Sequence, residues 1–349
     1  MLGIACLAAA ASAQQDVLAL EDLVKAPAVT IDNGSVAAKI YLPDAHRGFY
    51  RGTRFDWAGV IGSLVYRGHD FYVPWFHGVS PNVRDIEFRD GEVIVATNTG
   101  ATGPVEEFNA QGGALGYAET APGGTFVKIG VGVLRRPDDA TYSSFRRYPI
   151  VDLGERESVA TSDQVELIHR VTDPASGYGY DYTKTVRLLN DQPVMMLEHE
   201  LHNTGSKPIN TLVYNHNFLN IDGGGTSQGL ELRTAYAFMA DRAPDPDVAE
   251  VRDGRFIYLA APPADQRVAA RLNGFGAAAA DNGFHIVQPN REAGLRITGD
   301  QPLVRVSLWS IQPVMSIEPF TSMNIAPGES FRWSYRYEYE AGAGLTTEY

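Results

Sequence analysis

Between Phe331 and Tyr339 an aromatic ring falls at every second position: Phe331, Trp333, Tyr335, Tyr337 and Tyr339 alternate with Arg332, Ser334, Arg336 and Glu338. Successive side chains of an extended chain point to opposite faces. The spacing therefore gathers the rings on one side of a strand and the polar groups on the other. A helix would scatter the same rings around its circumference. A strand with so large an apolar face needs a second layer to cover it, which commits the chain to packed β-sheets.

Other segments repeat the pattern. Val36 to Leu42, Val60 to Tyr66, Glu92 to Thr97 and Thr125 to Leu134 are short and β-rich, as are Gln164 to Thr172, Tyr180 to Leu189, Val194 to His202 and Asn210 to Phe218. Phe256 to Ala260, Leu303 to Ser310 and the run opening at Val314-Met315 complete the set. Asp32-Asn33-Gly34, Asp90-Gly91, Asn203-Thr204-Gly205, Asp253-Gly254, Asp281-Asn282-Gly283 and Pro327-Gly328 supply turns. No segment keeps a helical period over several turns, and Ala277 to Ala280 is too short and Gly-flanked to count. The reading is all-β, with many antiparallel strands in large packed sheets. The polar, Pro-rich stretch Asp241 to Asp247 reads as a long loop, and no domain boundary stands out.

The net charge of -13 over 349 residues disfavours long-range attraction to nucleic acid or an anionic membrane. Met1 to Ala13 reads as a leader: a short apolar run of small residues ends in Ala11-Ser12-Ala13, a cleavage signature, with Gln14 opening the mature chain. Residues 1–13 are thus expected to be removed and 14–349 to form one domain, periplasmic or secreted. The run is too short for a membrane span. Cys6, the single cysteine, lies within it, so the mature chain has no disulfide, thiolate nucleophile or Cys-based metal site. His199 and His202 fall on opposite faces of a strand, and no metal site is expected.

The densest polar cluster is Tyr214 to Asp222, followed by Gly223-Gly224-Gly225. Alternation sets Tyr214, His216 and Phe218 on one face and Asn215 and Asn217 on the other. A His between two aromatics has an apolar wall and a tip able to exchange protons near neutral pH. Glu318, in Ser316-Ile317-Glu318-Pro319-Phe320, interrupts an apolar strand; it is either an edge residue in solvent or a carboxylate that is paired or hard to ionise. Glu106 and Glu107 read as a solvated loop, and if extended they point apart and cannot act as a dyad. Tyr180, Tyr182 and Lys184 share one strand face. Arg51, Arg54 and Arg84 read as surface residues, with an anionic substrate as the alternative.

Met195 to Ile221, MMLEHELHNTGSKPINTLVYNHNFLNI, resembles a segment of the galactose mutarotase (aldose 1-epimerase) superfamily. There a strand ends in an Asn-Thr turn, a Pro-containing link follows, and a second strand ends in Asn-His-x-Tyr-Phe-Asn-Leu. Asn203, Thr204, Gly205, Pro208, Asn215, His216, Phe218 and Asn220 occupy matching positions. Glu318-Pro319, Pro327-Gly328-Glu329 and Tyr335 to Tyr339 resemble that family's closing segment. The resemblance implies a large antiparallel β-supersandwich and a sugar or oligosaccharide partner. It implies that His216 is the acid donating to the pyranose ring oxygen and Glu318 the base at the anomeric hydroxyl, with no metal or organic cofactor.

The departures from the family pattern are specific. Leu219 stands where the family has an aromatic residue. The early His matches His77 in Trp75-Phe76-His77-Gly78 loosely, with His69 as the alternative. The sugar-binding Asp has Asp241 and Asp222 as candidates. Arg54 stands near the family's early Asn-Arg-Ile. The expected substrate contacts are therefore Arg54, His77, Asn215, Tyr182 and Asp241. Two other readings remain open on the same fold. One is a polysaccharide lyase or hydrolase, whose base and neutraliser Tyr182, His77 and Arg54 could supply. The other is a non-catalytic carbohydrate-binding protein. The oligomeric state cannot be read from the sequence.

Overall fold

A computed structural model describes residues 17–110, 112–343 and 345, so the expected leader lies outside the described residues. The aromatic strand, Ser330–Ala341, is central to a ten-stranded sheet, between Val194–Asn203 and Ala293–Gly299. Every neighbouring pair in that sheet is antiparallel. A six-stranded antiparallel sheet runs in the order Met239–Ala240, Val268–Asn273, Arg305–Ile311, Val314–Ile325, Ile209–Phe218, Gly103–Ala110. Smaller sheets flank these, and in one of them Gly78–Ser80 pairs with Glu92–Ala96 in parallel.

Trp333, Tyr335, Tyr337 and Tyr339 are buried in the main core with Val213, Ile317, Met323 and Ile325 of the six-stranded sheet. The rings required a covering layer and this is it. The Asp90-Gly91 and Asp253-Gly254 turns have positive φ at both residues, the backbone that a right-twisted two-residue hairpin requires.

Two local expectations are corrected and one open alternative is decided. Thr125 to Leu134 is not one strand: Gly130 and Gly132 take positive φ and split it into Thr125–Lys128 and Gly132–Arg135. Glu106 and Glu107 lie in the strand Gly103–Ala110, buried at 0% and 1% exposure, rather than in a solvated loop. Glu318 is on no edge, since Val314–Ile325 is paired on both sides.

Glu106 anchors a polar network sealed between the two large sheets. Its carboxylate takes hydrogen bonds from Lys184 Nζ at 2.5 Å, His199 Nε2 at 3.0 Å and Asn215 Nδ2 at 3.0 Å. Burial alone would raise the Glu106 pKa, but Lys184 and His199 hold it down to about 2. Burial pushes the nearby Asp56 up to about 7 against the pull of Lys184. Tyr337 donates to Asn217 Oδ1 at 2.8 Å, so the network ties both sheets together. A buried charge stripped of its partner is costly, whereas removing both partners is cheaper. In chemical denaturation, Lys184→Met should lose about 3–5 kcal/mol, and adding Glu106→Gln should restore most of it. A double variant as unstable as the single one would show that charge compensation is not what this cluster provides.

Candidate active site

The register of the six-stranded sheet sets the site. Tyr214 pairs with Glu107 on one side and Phe320 on the other, and Phe320 pairs with Arg305. Side chains two residues apart share a face. Glu107, Tyr214, His216, Glu318, Phe320, Arg305 and Trp309 therefore all stand on the face turned away from the ten-stranded sheet. Glu106 and Asn215, one residue out of step, stand on the inner face.

His216 and Glu318 meet: Nε2 lies 3.1 Å from Oε1. The His216 ring stacks on Phe218 at 3.8 Å between centroids and takes Phe55 and Trp309 edge-on at 5.6 Å each. This apolar collar fixes the plane of the imidazole and aims Nε2 at the carboxyl. Nδ1 is buried and has no partner among the described residues, so Glu318 is the polar contact that orients the ring. The contact is nearly buried, with 13% of the Glu318 side chain exposed against 5% of His216.

Burial disfavours charge on both groups. It pushes Glu318 up to about 7, with Arg54 pulling the other way. Burial, followed by the nearby Arg54 charge, moves His216 well below the usual imidazole range. Below about pH 7 the pair therefore rests as a carboxylic acid beside a neutral imidazole, holding one transferable proton between Oε1 and Nε2. Two groups so coupled titrate as a unit.

A second cluster borders the pair. Arg54 Nε donates to Glu107 Oε2 at 2.7 Å and Nη2 to the Tyr214 hydroxyl at 3.1 Å, while Tyr214 itself donates to Glu107. Lys128 Nζ lies 3.7 Å from Glu107 and donates to the Phe108 carbonyl at 2.6 Å. Burial draws Lys128 down to about 8 although Glu107 opposes the shift. Arg54 lies between the rings of Phe55 and Phe145, which hold its guanidinium beside the His–Glu pair.

Of the expected site residues, His216, Glu318 and Arg54 come together. The others do not. Asn215 faces the sheet interface, bonded to Glu106 and Tyr337. Tyr182 is wholly buried there, stacked on His199 and Trp333, and no sugar reaches it without parting the sheets. His77 is exposed, and its Nδ1 takes the Val93 N–H at 3.1 Å. Asp241 caps the Arg271 N–H at 2.8 Å in an exposed loop. His69 and Asp222 bond to each other at 2.8 Å, in contact with neither His216 nor Glu318. The lyase set of Tyr182, His77 and Arg54 is therefore not assembled.

Glu107, Tyr214, Lys128, Trp309 and Arg305 were not singled out as site residues. For Tyr214 and Glu107 a signal existed, since one shares a strand face with His216 and the other flanks Glu106. For Lys128, Trp309 and Arg305 only the pairing of strands distant in sequence shows the connection.

No protein-family profile matches the chain, and no curated protein matches it in sequence. Solved structures do match it over almost its full length. The Slr1438 protein from Synechocystis sp. PCC 6803 superposes with a TM-score of 0.53 at 11% identity, covering 91% of this chain and 96% of that one. A candidate aldose 1-epimerase from Escherichia coli K12 gives 0.53 at 14% identity, covering 90% and 99%. A galactose mutarotase related enzyme from Lactobacillus acidophilus gives 0.52 at 12% identity, covering 92% and 100%. With its two large antiparallel sheets packed face to face, the chain has the galactose mutarotase-like fold.

Proposed function

We propose that this protein interconverts the anomers of an aldose by acid–base opening and closing of the sugar ring. The observation that carries the reading is the 3.1 Å contact between His216 Nε2 and Glu318 Oε1 on the sheet face turned away from the ten-stranded sheet. A hemiacetal presents its ring oxygen and its anomeric hydroxyl on one carbon, so two adjacent proton-exchanging groups can address both at once.

The protons balance within the pair. From the tautomer with His216 protonated and Glu318 ionised, His216 gives its Nε2 proton to the ring oxygen and Glu318 takes the anomeric O–H proton. The bond from the anomeric carbon to the ring oxygen breaks as the carbonyl forms. Rotation about C1–C2 turns the other carbonyl face to the incoming hydroxyl. Closure returns one proton to His216 and one from Glu318. The Arg54 guanidinium stabilises the carboxylate tautomer and any negative charge building on oxygen. Its buried partner Glu107 fixes its position. Action on sugars outside the cytoplasm belongs to the same proposal and follows from the expected leader.

The test is a proton NMR time course on anomerically enriched aldoses, corrected for spontaneous mutarotation. His216→Ala and Glu318→Ala should each lower kcat by more than about 100-fold. A wild-type enzyme that never outruns the spontaneous reaction on any aldose would end the proposal.

The pair must hold one transferable proton, and it loses that proton above about pH 7. The corrected kcat/KM should therefore decline about tenfold per pH unit on the alkaline side. It should hold level below that point, down to the depressed His216 pKa. A rate that climbs steadily through pH 8 would contradict this assignment.

Glu318 also has a stability consequence. Its folded pKa lies above its unfolded value of 4.5, so folding favours the neutral acid. That contribution is complete below the unfolded value and lost as pH rises through about 7. Glu318→Gln should gain stability over wild type, by roughly 3 kcal/mol at about pH 8.5 and by less than about 1 kcal/mol at about pH 5. Equal differences at the two pH values in thermal melts would count against a buried, reluctant carboxylate.

A further inference from the structure

On the same sheet face an open depression of about 530 Å³ begins at Arg305, one row from Glu318, and runs on past Ser322 to Asn210 and Asn324. Asn109, Asn210, Asn324 and Ser322 line it, together with the Arg305 guanidinium, and no carboxylate does. Arg305 lies flat over the Phe320 ring at 3.5 Å. Its Nε is buried without a hydrogen-bond partner, and no carboxylate forms an ion pair with the guanidinium among the described residues. Arg271, from the neighbouring strand Val268–Asn273, adds a second positive charge close enough to disfavour that of Arg305. Arg54, by contrast, is committed to Glu107.

An unpaired, half-buried guanidinium is unusual for a side chain that stays charged at every physiological pH. It is more unusual in a protein whose net charge is -13, where carboxylates are plentiful. The neighbouring asparagines and serine are neutral donors, the complement that an anion's remaining lone pairs require.

We propose that Arg305, with Ser322 one row beyond it, recognises an anionic group on the substrate, so that the sugar turned over at His216 and Glu318 is an acidic one. This rests on the epimerase reading for what happens to the sugar, but not for the binding itself. Arg305 pairs across the ladder with Phe320, two residues from Glu318. One such step is roughly 7 Å along a strand, comparable with the width of a single pyranose ring. A sugar with its anomeric carbon at Glu318 therefore reaches Arg305 with a substituent on the far side of the ring. A carboxylate, as in a uronic acid, and a phosphate ester share the planar-fork chemistry that guanidinium favours.

Calorimetric titration and NMR mutarotation assays, run in parallel, test this with glucose, glucuronate and glucose 6-phosphate and with the corresponding galactose series. At least one anionic series should bind about 10-fold or more tightly than its neutral parent, the size of one charge-assisted contact. The uronate and phosphate arms identify which anion is read. Arg305→Gln should bring the anionic-to-neutral preference close to unity, and Arg305→Lys should keep part of it, with unchanged thermal melts as the folding control. Absence of any preference in the wild type, or a preference intact in Arg305→Gln, overturns the anion subsite. Mutarotation of neutral sugars in that event would leave the epimerase reading standing. Conversely, Arg305-dependent binding of an acidic sugar with no turnover would uphold the subsite and sink the epimerase reading.

Discussion

Two pairs of consecutive residues divide the work of this molecule, and the pleat of a strand is the constraint that divides it. Glu106 and Asn215 point inward, where they meet Lys184, His199 and Tyr337 between the sheets. Glu107 and His216, the very next residues, point outward to Arg54 and Glu318. The strands Gly103–Ala110 and Ile209–Phe218 are paired along their length, so each inner contact fixes the phase of its outer neighbour. A slip of one residue would turn His216 toward the sheet interface and Asn215 away from it. The sealed network thus indexes the outer face, and the acid–base geometry depends on a charge cluster that never touches solvent.

The same division explains the asparagines of the motif. Asn203 bonds the Lys207 and Ile325 carbonyls, Asn217 bonds the Ile317 carbonyl, and Asn220 bonds the Val73 carbonyl. Each pins one piece of backbone to another where no ladder is available. Matches at Asn203, Asn215 and Asn220 therefore report the architecture more than the chemistry. In that segment His216, with Tyr214 and Phe218, stands on the face turned away from the ten-stranded sheet.

The electrostatics of that face follow from how its charges are shared. Glu107 is divided among Arg54, Lys128 and Tyr214, so the charge it offers is consumed locally. Glu318 is left with a neutral imidazole as its contact and rises to about 7 because burial is not offset by a direct cation. Arg305 has no ion-paired carboxylate among the described residues. Three groups within a few strand positions thus reach three different states through their partners rather than their residue types.

By itself the sequence determined whatever depends on period and local backbone. The ring at every second position from Phe331 to Tyr339 forced a strand with a buried face. The Asp-Gly pairs required positive φ. The candidacy of His216 and Glu318 was legible because a titratable side chain interrupts an apolar or aromatic strand face in each case. Tyr182, His77, Asn215 and Asp241 could not be sorted the same way: the phase within a strand says which residues share a face but not which face meets the second sheet. That choice, the breaking of Thr125 to Leu134 at its glycines, and the gathering of Arg54, Glu107 and Arg305 around one contact belong to the tertiary structure. They depend on which strands pair across more than a hundred residues of chain, and that pairing is decided by the collective burial of both sheets rather than by any local signal.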